Sequence, residues 1–155
     1  GAGGGAGPWL VLDAAHTGGS ARALAATLRE AFPAPRHRLA YAVAAAADKD
    51  LSAMCIALRT ARPIAVAFTT VPIAGSTHRS APPGSLLAHW QTAGFAEKPS
   101  QRMRETVQAS LAGAVAKAAG EVGEGTDGSD GVICVTGSMH AVAAALQLHL
   151  MYSRS

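Results

Sequence analysis

The sequence contains few charged and few aromatic side chains. Of 155 residues, 15% are charged and 5% are aromatic, whereas 49% are hydrophobic. This composition excludes a largely disordered chain, and the length suits a single domain with its own core. The Lys and Arg residues are scattered and the net charge is only +3. We expect no nucleic-acid partner, because such proteins concentrate cations on one face with aromatics between them.

Cysteines and long apolar runs are scarce as well. Cys55 and Cys134 lie inside apolar segments, which predicts buried free thiols in a reducing compartment. No metal-ligand spacing joins either cysteine to a histidine, so no metal site is predicted. No apolar run reaches the ~18 residues of a membrane span, and the first residues do not have the pattern of a signal peptide. We therefore expect an intracellular protein with no membrane partner, and leave cytosol, mitochondrion and plastid open as compartments.

Several common catalytic and phosphate-binding motifs are missing. The sequence has no G-x-x-x-x-G-K-[ST] loop and thus no Walker-type phosphate cradle, and no G-x-S-x-G elbow that would indicate a hydrolase. "GAGGGAG" at residues 1–7 formally contains G-x-G-x-x-A. No strand precedes it and Pro8 follows it, which is the wrong context for dinucleotide binding. We interpret residues 1–8 as a flexible leader.

Apolar patterns predict an alternation of strands and helices. The predicted strands are residues 9–15, 38–46, 64–71 and 132–136, with a weak edge strand at 96–99. The predicted helices are residues 20–32, 50–61, 85–93, 101–119 and 138–150. An acidic, glycine-rich segment at 120–131 is predicted to be a mobile surface loop. This order predicts an α/β fold, Rossmann-like, with a mostly parallel sheet and helices on both faces. The domain is expected to span residues 9–150, with a tail at 151–155.

Polar residues follow each of the main predicted strands. Asp13 and His16 follow the first, residues 48–50 the second, residues 69–80 the third, and residues 136–140 the last. Taken singly, each group has a structural explanation as a turn or a helix cap. In parallel sheets, however, ligands bind beyond the carboxyl ends of the strands. The convergence of these groups at one edge therefore predicts a ligand site.

Four ordered segments resemble one enzyme family. "LDAAHTGGSARAL" is similar to the LDGAHN-P-x-S-x-x-x-L segment that opens the C-terminal domain of folylpolyglutamate synthases and dihydrofolate synthases, ligases of the Mur superfamily. "ADKDLSAM" resembles their next strand end, and "VICVTGSMHAV" resembles their closing V-T-G-S-L-H/Y pattern. "FTTVPIAGSTHRSAPPGSLLAHW" is similar to the plant-type or algal-type members. The resemblance covers residues 9–147, and implies the Mur ligase C-terminal domain fold.

The resemblance implies an ATP-dependent ligase that joins L-glutamate to dihydropteroate or a folate through an acyl phosphate. It assigns Asp13 and His16 to the nucleotide, and Lys49 and Asp50 to catalysis. Substrate binding is assigned to a third group of residues, which are Arg79, Ser138 and His140. ATP and Mg²⁺ are the implied cofactors, and the partner is an N-terminal P-loop domain that supplies the magnesium ligands. Without that domain, we expect this chain alone to be inactive.

Two departures from the family pattern lie in the first segment. Ala14 stands where glycine is usual and Thr17 where asparagine is usual, so we expect a slightly altered turn. Three hypotheses remain open at this point. The chain belongs to a folate-type glutamate ligase, to another Mur-type amino-acid ligase, or to a non-catalytic module that keeps affinity for nucleotide or glutamate. The choice between dihydropteroate and a polyglutamate tail as acceptor stays open too.

Overall fold

The computed structural model describes residues 7–95, 97, 103–123 and 129–152. Within these ranges five strands and five helices alternate along the chain. The elements are β1 (Trp9–Leu12), α1 (Gly18–Ala31), β2 (His37–Val43), α2 (Leu51–Arg59), β3 (Ala65–Phe68), α3 (Pro83–Ala93), β4 (Arg104–Val107), α4 (Leu111–Gly123), β5 (Asp130–Thr136) and α5 (Met139–Tyr152). No helix of the described ranges has both the length and the apolar character that crossing a bilayer requires.

The strands form one parallel sheet in the order β1-β5-β2-β3-β4. β2 and β5 are central and pair along their whole length, from His37 with Asp130 to Val43 with Thr136. Alternate β2 residues face opposite helix layers. Tyr41 packs in the cluster that includes α1, α2 and α3, whereas Ala42 packs in the cluster that includes α4 and α5. The predicted α/β fold, a parallel sheet with helices on both faces, is confirmed.

The first helix shows how the local sequence sets an element boundary. Thr17 has extended backbone angles and its hydroxyl accepts the Ser20 N–H, while the Ser20 side chain accepts the Thr17 N–H, so the two residues form a capping box. The buried stripe repeats at helical spacing and comprises Ala21, Leu24, Ala25 and Leu28. Thr17 is therefore the N-cap, and α1 begins at Gly18, two residues before the predicted start at residue 20.

The larger core lies between the sheet and helices α1 to α3. The Trp90 ring meets the Tyr41 and Phe68 rings edge-on, at centroid distances of 6.1 and 5.7 Å, a favourable geometry for aromatic pairs. The Tyr41 hydroxyl donates to the Leu58 carbonyl at 2.9 Å, and burial raises the pKa of this hydroxyl. The Arg59 guanidinium lies over Trp90, 5.0 Å from the ring centroid. Together these contacts join α2 and α3 to the centre of the sheet.

The predicted helix at 101–119 is wrong in its first part. Residues Arg104–Val107 form the edge strand β4, which pairs with β3, and α4 begins only at Leu111. Two of these four residues are exposed and two are half-buried, and their sequence has no clear alternation of apolar and polar residues. Pairing with a neighbouring strand, which is a tertiary effect, decides their conformation. Residues 101–102 lie outside the described ranges.

Other predicted boundaries shift or lie outside the described residues. The acidic segment at 120–131 begins in α4 and ends in β5, and residues 124–128 between them are not described. Of the weak strand at 96–99 only Glu97 is described, at a bend where its carboxylate accepts from Arg59. The leader residues 1–6 and the last three residues are also outside the description, while Met151 continues α5.

The two free cysteines are expected to react very slowly with alkylating reagents in the native state. Burial raises the pKa of the Cys55 thiol to about 12 and also raises that of Cys134. Because only the thiolate is nucleophilic, iodoacetamide at pH 8 should alkylate both residues far more slowly in the folded protein than in urea. Mass spectrometry of timed samples measures the two rates. Rapid native labelling of either thiol, at the rate seen in urea, would contradict this packing.

Candidate functional site

An open cleft of about 610 Å³ lies at the carboxyl end of the sheet. Of the seven site residues predicted from sequence, five are among the described residues that line it, namely His16, Lys49, Arg79, Ser138 and His140. Asp13 and Asp50 are the two that do not line it. The cleft is thus built by the loops that follow β1, β2, β3 and β5. Its position agrees with the rule that ligands of open parallel sheets bind beyond the strand carboxyl ends.

The turn after β1 is held by backbone hydrogen bonds to β5. The Asp13 N–H donates to the Val135 carbonyl at 3.1 Å. The Asp13 carboxylate turns back and accepts the Ala15 N–H at 2.9 Å. The Ala15 carbonyl accepts the Gly137 N–H at 3.0 Å and lies 3.4 Å from the Thr136 hydroxyl. These bonds fix the start of the turn, in which His16 lines the cleft and Asp13 does not.

His16 is half-buried and makes two local contacts. Its backbone N–H donates to the Ser20 hydroxyl oxygen at 3.1 Å. Its ring Nδ1 lies 2.9 Å from the Ala14 carbonyl oxygen. The family pattern has glycine at position 14 and asparagine at position 17, yet Ala14 and Thr17 still support a closed turn here. With these two residues the turn has the Thr17–Ser20 capping box and the contact between the His16 ring and the Ala14 carbonyl.

The turn between β5 and α5 brings the chain very close to β2. Gly137 has φ +109°, and a Cβ added to it would overlap the Ala44 carbonyl oxygen. The Ser138 hydroxyl oxygen accepts the Ala141 N–H at 3.0 Å and so caps α5. Ser138 is buried, whereas Met139 and His140, which follow it in the lining of the cleft, are exposed. The N-terminus of α5 therefore opens into the cleft, where free N–H groups and the helix dipole favour an anion.

In the loop after β2, one polar residue caps α2 and others line the cleft. The Asp50 carboxylate accepts the Ala53 N–H at 3.0 Å and caps α2. Lys49 is exposed and lines the cleft beside Asp48. Sequence alone grouped Lys49 with Asp50. The structure gives the two residues different surroundings, because Lys49 lines the cleft whereas one oxygen of the Asp50 carboxylate accepts the Ala53 N–H at the start of α2.

Arg79 is brought to the cleft by a tight hairpin within residues 69–80, the polar segment that follows β3. Ile73 and Ser76 exchange backbone hydrogen bonds of 2.8 and 3.2 Å across Ala74 and Gly75. Both central residues have positive φ, +52° and +77°, as a type I′ turn requires. The chain then returns along the β2 loop, where the Arg79 carbonyl accepts the Ala47 N–H at 2.9 Å. The Ala74-Gly75 pair, which lies between apolar and polar residues, was the feature of the sequence that could have indicated this hairpin.

The charges around the cleft favour an anionic ligand. Lys49 and Arg79 each contribute a permanent positive charge, and Asp48 contributes the opposing carboxylate. His140 lies beside the N-terminus of α5. Ile73 and Met139 add apolar surface to the site, and neither residue was predicted from the sequence to lie there. Among the described residues no group of three or more His, Cys, Asp or Glu side chains lies together in a way that could hold a metal ion.

The fold is that of Mur-type ligases. The *Mycobacterium tuberculosis* folylpolyglutamate synthase, solved with ADP and AMPPCP, superposes with a TM-score of 0.73 at 26% identity over 90% of this chain and 29% of that one. A bifunctional folylpolyglutamate synthase/dihydrofolate synthase of *Yersinia pestis*, solved with AMPPNP and Mn, gives a TM-score of 0.66 at 22% identity over 90% and 28%. UDP-N-acetylmuramate–alanine ligase of *Thermotoga maritima* gives a TM-score of 0.51 at 14% identity over 94% and 27%.

Comparison with models of protein families shows which family this chain belongs to. Residues 6–148 match the model described as the C-terminal domain of dihydrofolate synthetase. The chain therefore belongs to this family. It spans less than a third of the length of the three solved ligases above. No curated protein sequence matches it significantly.

Replacing Gly137 with alanine should disrupt the cleft and the fold together. A Cβ at this position overlaps the Ala44 carbonyl, and the positive φ adds strain for any other L-residue. We expect Gly137→Ala to lower the free energy of unfolding by at least about 2 kcal/mol. Urea denaturation followed by circular dichroism measures the change.

Gly120→Ala is the matched control for that substitution. Gly120 lies on the exposed side of α4, where an added Cβ meets nothing within 4 Å. Alanine should stabilise the helix there by roughly 0.5–1 kcal/mol. If Gly137→Ala is as well tolerated as Gly120→Ala, the close approach between the β5–α5 turn and β2 is wrong.

Proposed function

We propose that this chain is the C-terminal domain of an ATP-dependent ligase that joins L-glutamate to dihydropteroate or a folate. The observation that carries the proposal is the cleft, in which two permanent cations and the N-terminus of α5 meet the turn that bears Asp13 and His16. Family membership over residues 6–148 supports the same reaction class. The two alternatives are not favoured. The family match points to folate-type ligases and not to another Mur-type ligase. The charged residues that line the cleft argue against a non-catalytic module.

The nucleotide is proposed to lie against the turn after β1. A carboxylate such as Asp13 accepts hydrogen bonds from two hydroxyl groups, as a ribose requires. His16 lies three residues further along, on the wall of the cleft. The residues present therefore fit a nucleotide by the chemistry of their donors and acceptors. Nucleotide complexes of the *M. tuberculosis* and *Y. pestis* proteins support the same choice of ligand class.

The anionic groups of the substrates are proposed to lie on the other side of the cleft. Lys49 and Arg79 extend from neighbouring loops, which a backbone hydrogen bond between Ala47 and Arg79 holds together. Charged donors of this kind orient carboxylates and phosphates. Ser138 and His140 add polar groups at the start of α5. In this arrangement Lys49 acts directly on an anion, whereas Asp50 contributes by capping α2 and so placing Lys49 at its N-terminal end.

In the proposed reaction the γ-phosphoryl group of ATP is transferred to the acceptor carboxylate with release of ADP. The glutamate amine then attacks the carbonyl carbon of the acyl phosphate, which forms the amide and releases phosphate. We propose that an N-terminal P-loop domain binds the triphosphate and provides the ligands of the Mg²⁺ ion. This chain then contributes the second wall of the site, which orients the nucleotide and neutralises negative charge. On this proposal the isolated chain has no ligase activity. The buried free thiols of Cys55 and Cys134 support a reducing, intracellular location.

The cleft cations provide the direct test. We expect Lys49→Ala and Arg79→Ala each to lower kcat/KM for glutamate addition by about 10- to 100-fold in the full-length ligase, since a contact with a charged group contributes about 1.5–3 kcal/mol. The assay is ATP-dependent incorporation of labelled glutamate into dihydropteroate or tetrahydrofolate, and the preferred acceptor distinguishes the two activities.

Arg36→Ala is the matched control, because Arg36 is exposed at the opposite, amino end of the sheet. It should leave kcat/KM within about twofold of the wild type, as expected of a surface change away from the site. A folded full-length protein that binds ATP but incorporates no glutamate would contradict the proposed reaction. Equal effects of Arg36→Ala and Arg79→Ala would contradict the proposed position of the site.

A further inference from the structure

The Ser20 hydroxyl lies in the first turn of α1, beside the turn that bears His16, and takes part in several hydrogen bonds. Its oxygen accepts the backbone N–H groups of His16 and Thr17, at 3.1 and 3.0 Å. It also lies 2.8 Å from the Thr17 hydroxyl oxygen and 3.3 Å from the Thr17 carbonyl, either of which can accept its proton. A serine hydroxyl has two acceptor positions and one donor. All three are engaged within one turn, which is more than helix capping by Thr17 requires.

The ring contact of His16 indicates which tautomer the neutral ring adopts. Nδ1 lies 2.9 Å from the Ala14 carbonyl oxygen, and a carbonyl oxygen can only accept. Nδ1 therefore carries the proton, and in the neutral ring Nε2 is left with a lone pair. The ring lines the cleft. In this tautomer His16 offers the cleft a hydrogen-bond acceptor, whereas the opposite tautomer would offer a donor.

We propose that Ser20 is a positioning residue that fixes His16 as a hydrogen-bond acceptor towards the cleft. Ala14 and His16 are only two residues apart, so their ring-to-carbonyl bond forms only when the backbone between them keeps one conformation. The Ser20 hydroxyl oxygen stabilises that conformation because it accepts the backbone N–H of His16. This inference rests on the proposed function: His16 Nε2 accepts a hydrogen bond from a hydroxyl or amino group of the nucleotide, and does not contact a phosphate oxygen.

The tautomer of His16 can be measured directly on this chain. Long-range ¹H–¹⁵N spectra distinguish a ring protonated at Nδ1 from one protonated at Nε2, and loss of one signal set in His16→Gln assigns the resonances. We expect the Nδ1–H form at pH 8 in the wild type. In Ser20→Ala the turn loosens and the ring should shift towards the Nε2–H form that free histidine favours. Ser20→Thr keeps the hydroxyl and should restore the wild-type spectrum.

Thr27→Ala is the matched control. It removes a hydroxyl from the same helix, where Thr27 donates to the Ala23 carbonyl away from the cleft, and it should leave the His16 spectrum unchanged. A wild-type His16 in the Nε2–H form overturns the inference even if Ser20→Ala fails to fold. An unchanged tautomer in folded Ser20→Ala overturns it as well.

Titration of the same samples with ADP separates this inference from the proposed function. We expect ADP to bind Ser20→Ala about three- to tenfold more weakly than the wild type, as for the loss of one hydrogen bond, and Ser20→Thr to bind like the wild type. Amide shifts at residues 13–20 report binding at this turn. If ADP leaves those amides of the wild type unshifted, the nucleotide role of the turn is wrong, while the tautomer spectra still decide the role of Ser20.

Discussion

The cleft depends on the contact between the β5–α5 turn and the end of β2. Gly137 packs against the Ala44 carbonyl at a distance that no side chain permits, and its N–H donates to the Ala15 carbonyl at 3.0 Å. One glycine thus ties together the ends of β5, β2 and β1. The N-terminus of α5, the β2 loop and the His16 turn are all placed by this junction. A larger residue would separate the walls that the proposed ligands must touch together.

A second junction places the cations. The segment after the Ile73–Ser76 hairpin runs antiparallel to the β2 loop, with the Ala81 N–H on the Ala45 carbonyl at 2.7 Å. Arg79 therefore reaches the same cleft as Lys49, although thirty residues separate them. Positive charge from two loops, together with the N-terminus of α5 in the same lining, concentrates the field in one concave site. Such a site is suited to ligands with several anionic groups, as the proposed reaction has.

Much of this architecture could be predicted from the sequence because its signals are local. Helical spacing of Ala21, Leu24 and Leu28 indicates α1, and apolar runs indicate the buried strands. β4 was missed because Arg104–Val107 has no periodicity of its own and becomes a strand only through pairing with β3. The long-range contact at Gly137 was also invisible, since a Gly-Ser pair before a helix is common.

The candidate site could also be predicted only in part from the sequence. Residues that follow strands were predicted to converge, and five of them do so among the described residues. Their individual tasks were harder to predict, since Asp50 and Lys49 are adjacent yet differ in whether the side chain faces the cleft or caps α2. The apolar contribution of Ile73 and Met139 was missed because neither type of residue signals a site. The roles assigned to the seven residues stay predictions of the proposed function.

A crystal structure of the full-length ligase with a non-hydrolysable ATP analogue tests the central claim most directly. Our account predicts that the ribose lies within hydrogen-bond distance of Asp13, that the His16 ring contacts the nucleoside, and that the carboxyl edge of this domain faces the phosphates. A complex in which the nucleotide is bound and closed off without any contact to this edge would contradict the account. The cleft would then have a purpose other than ligation.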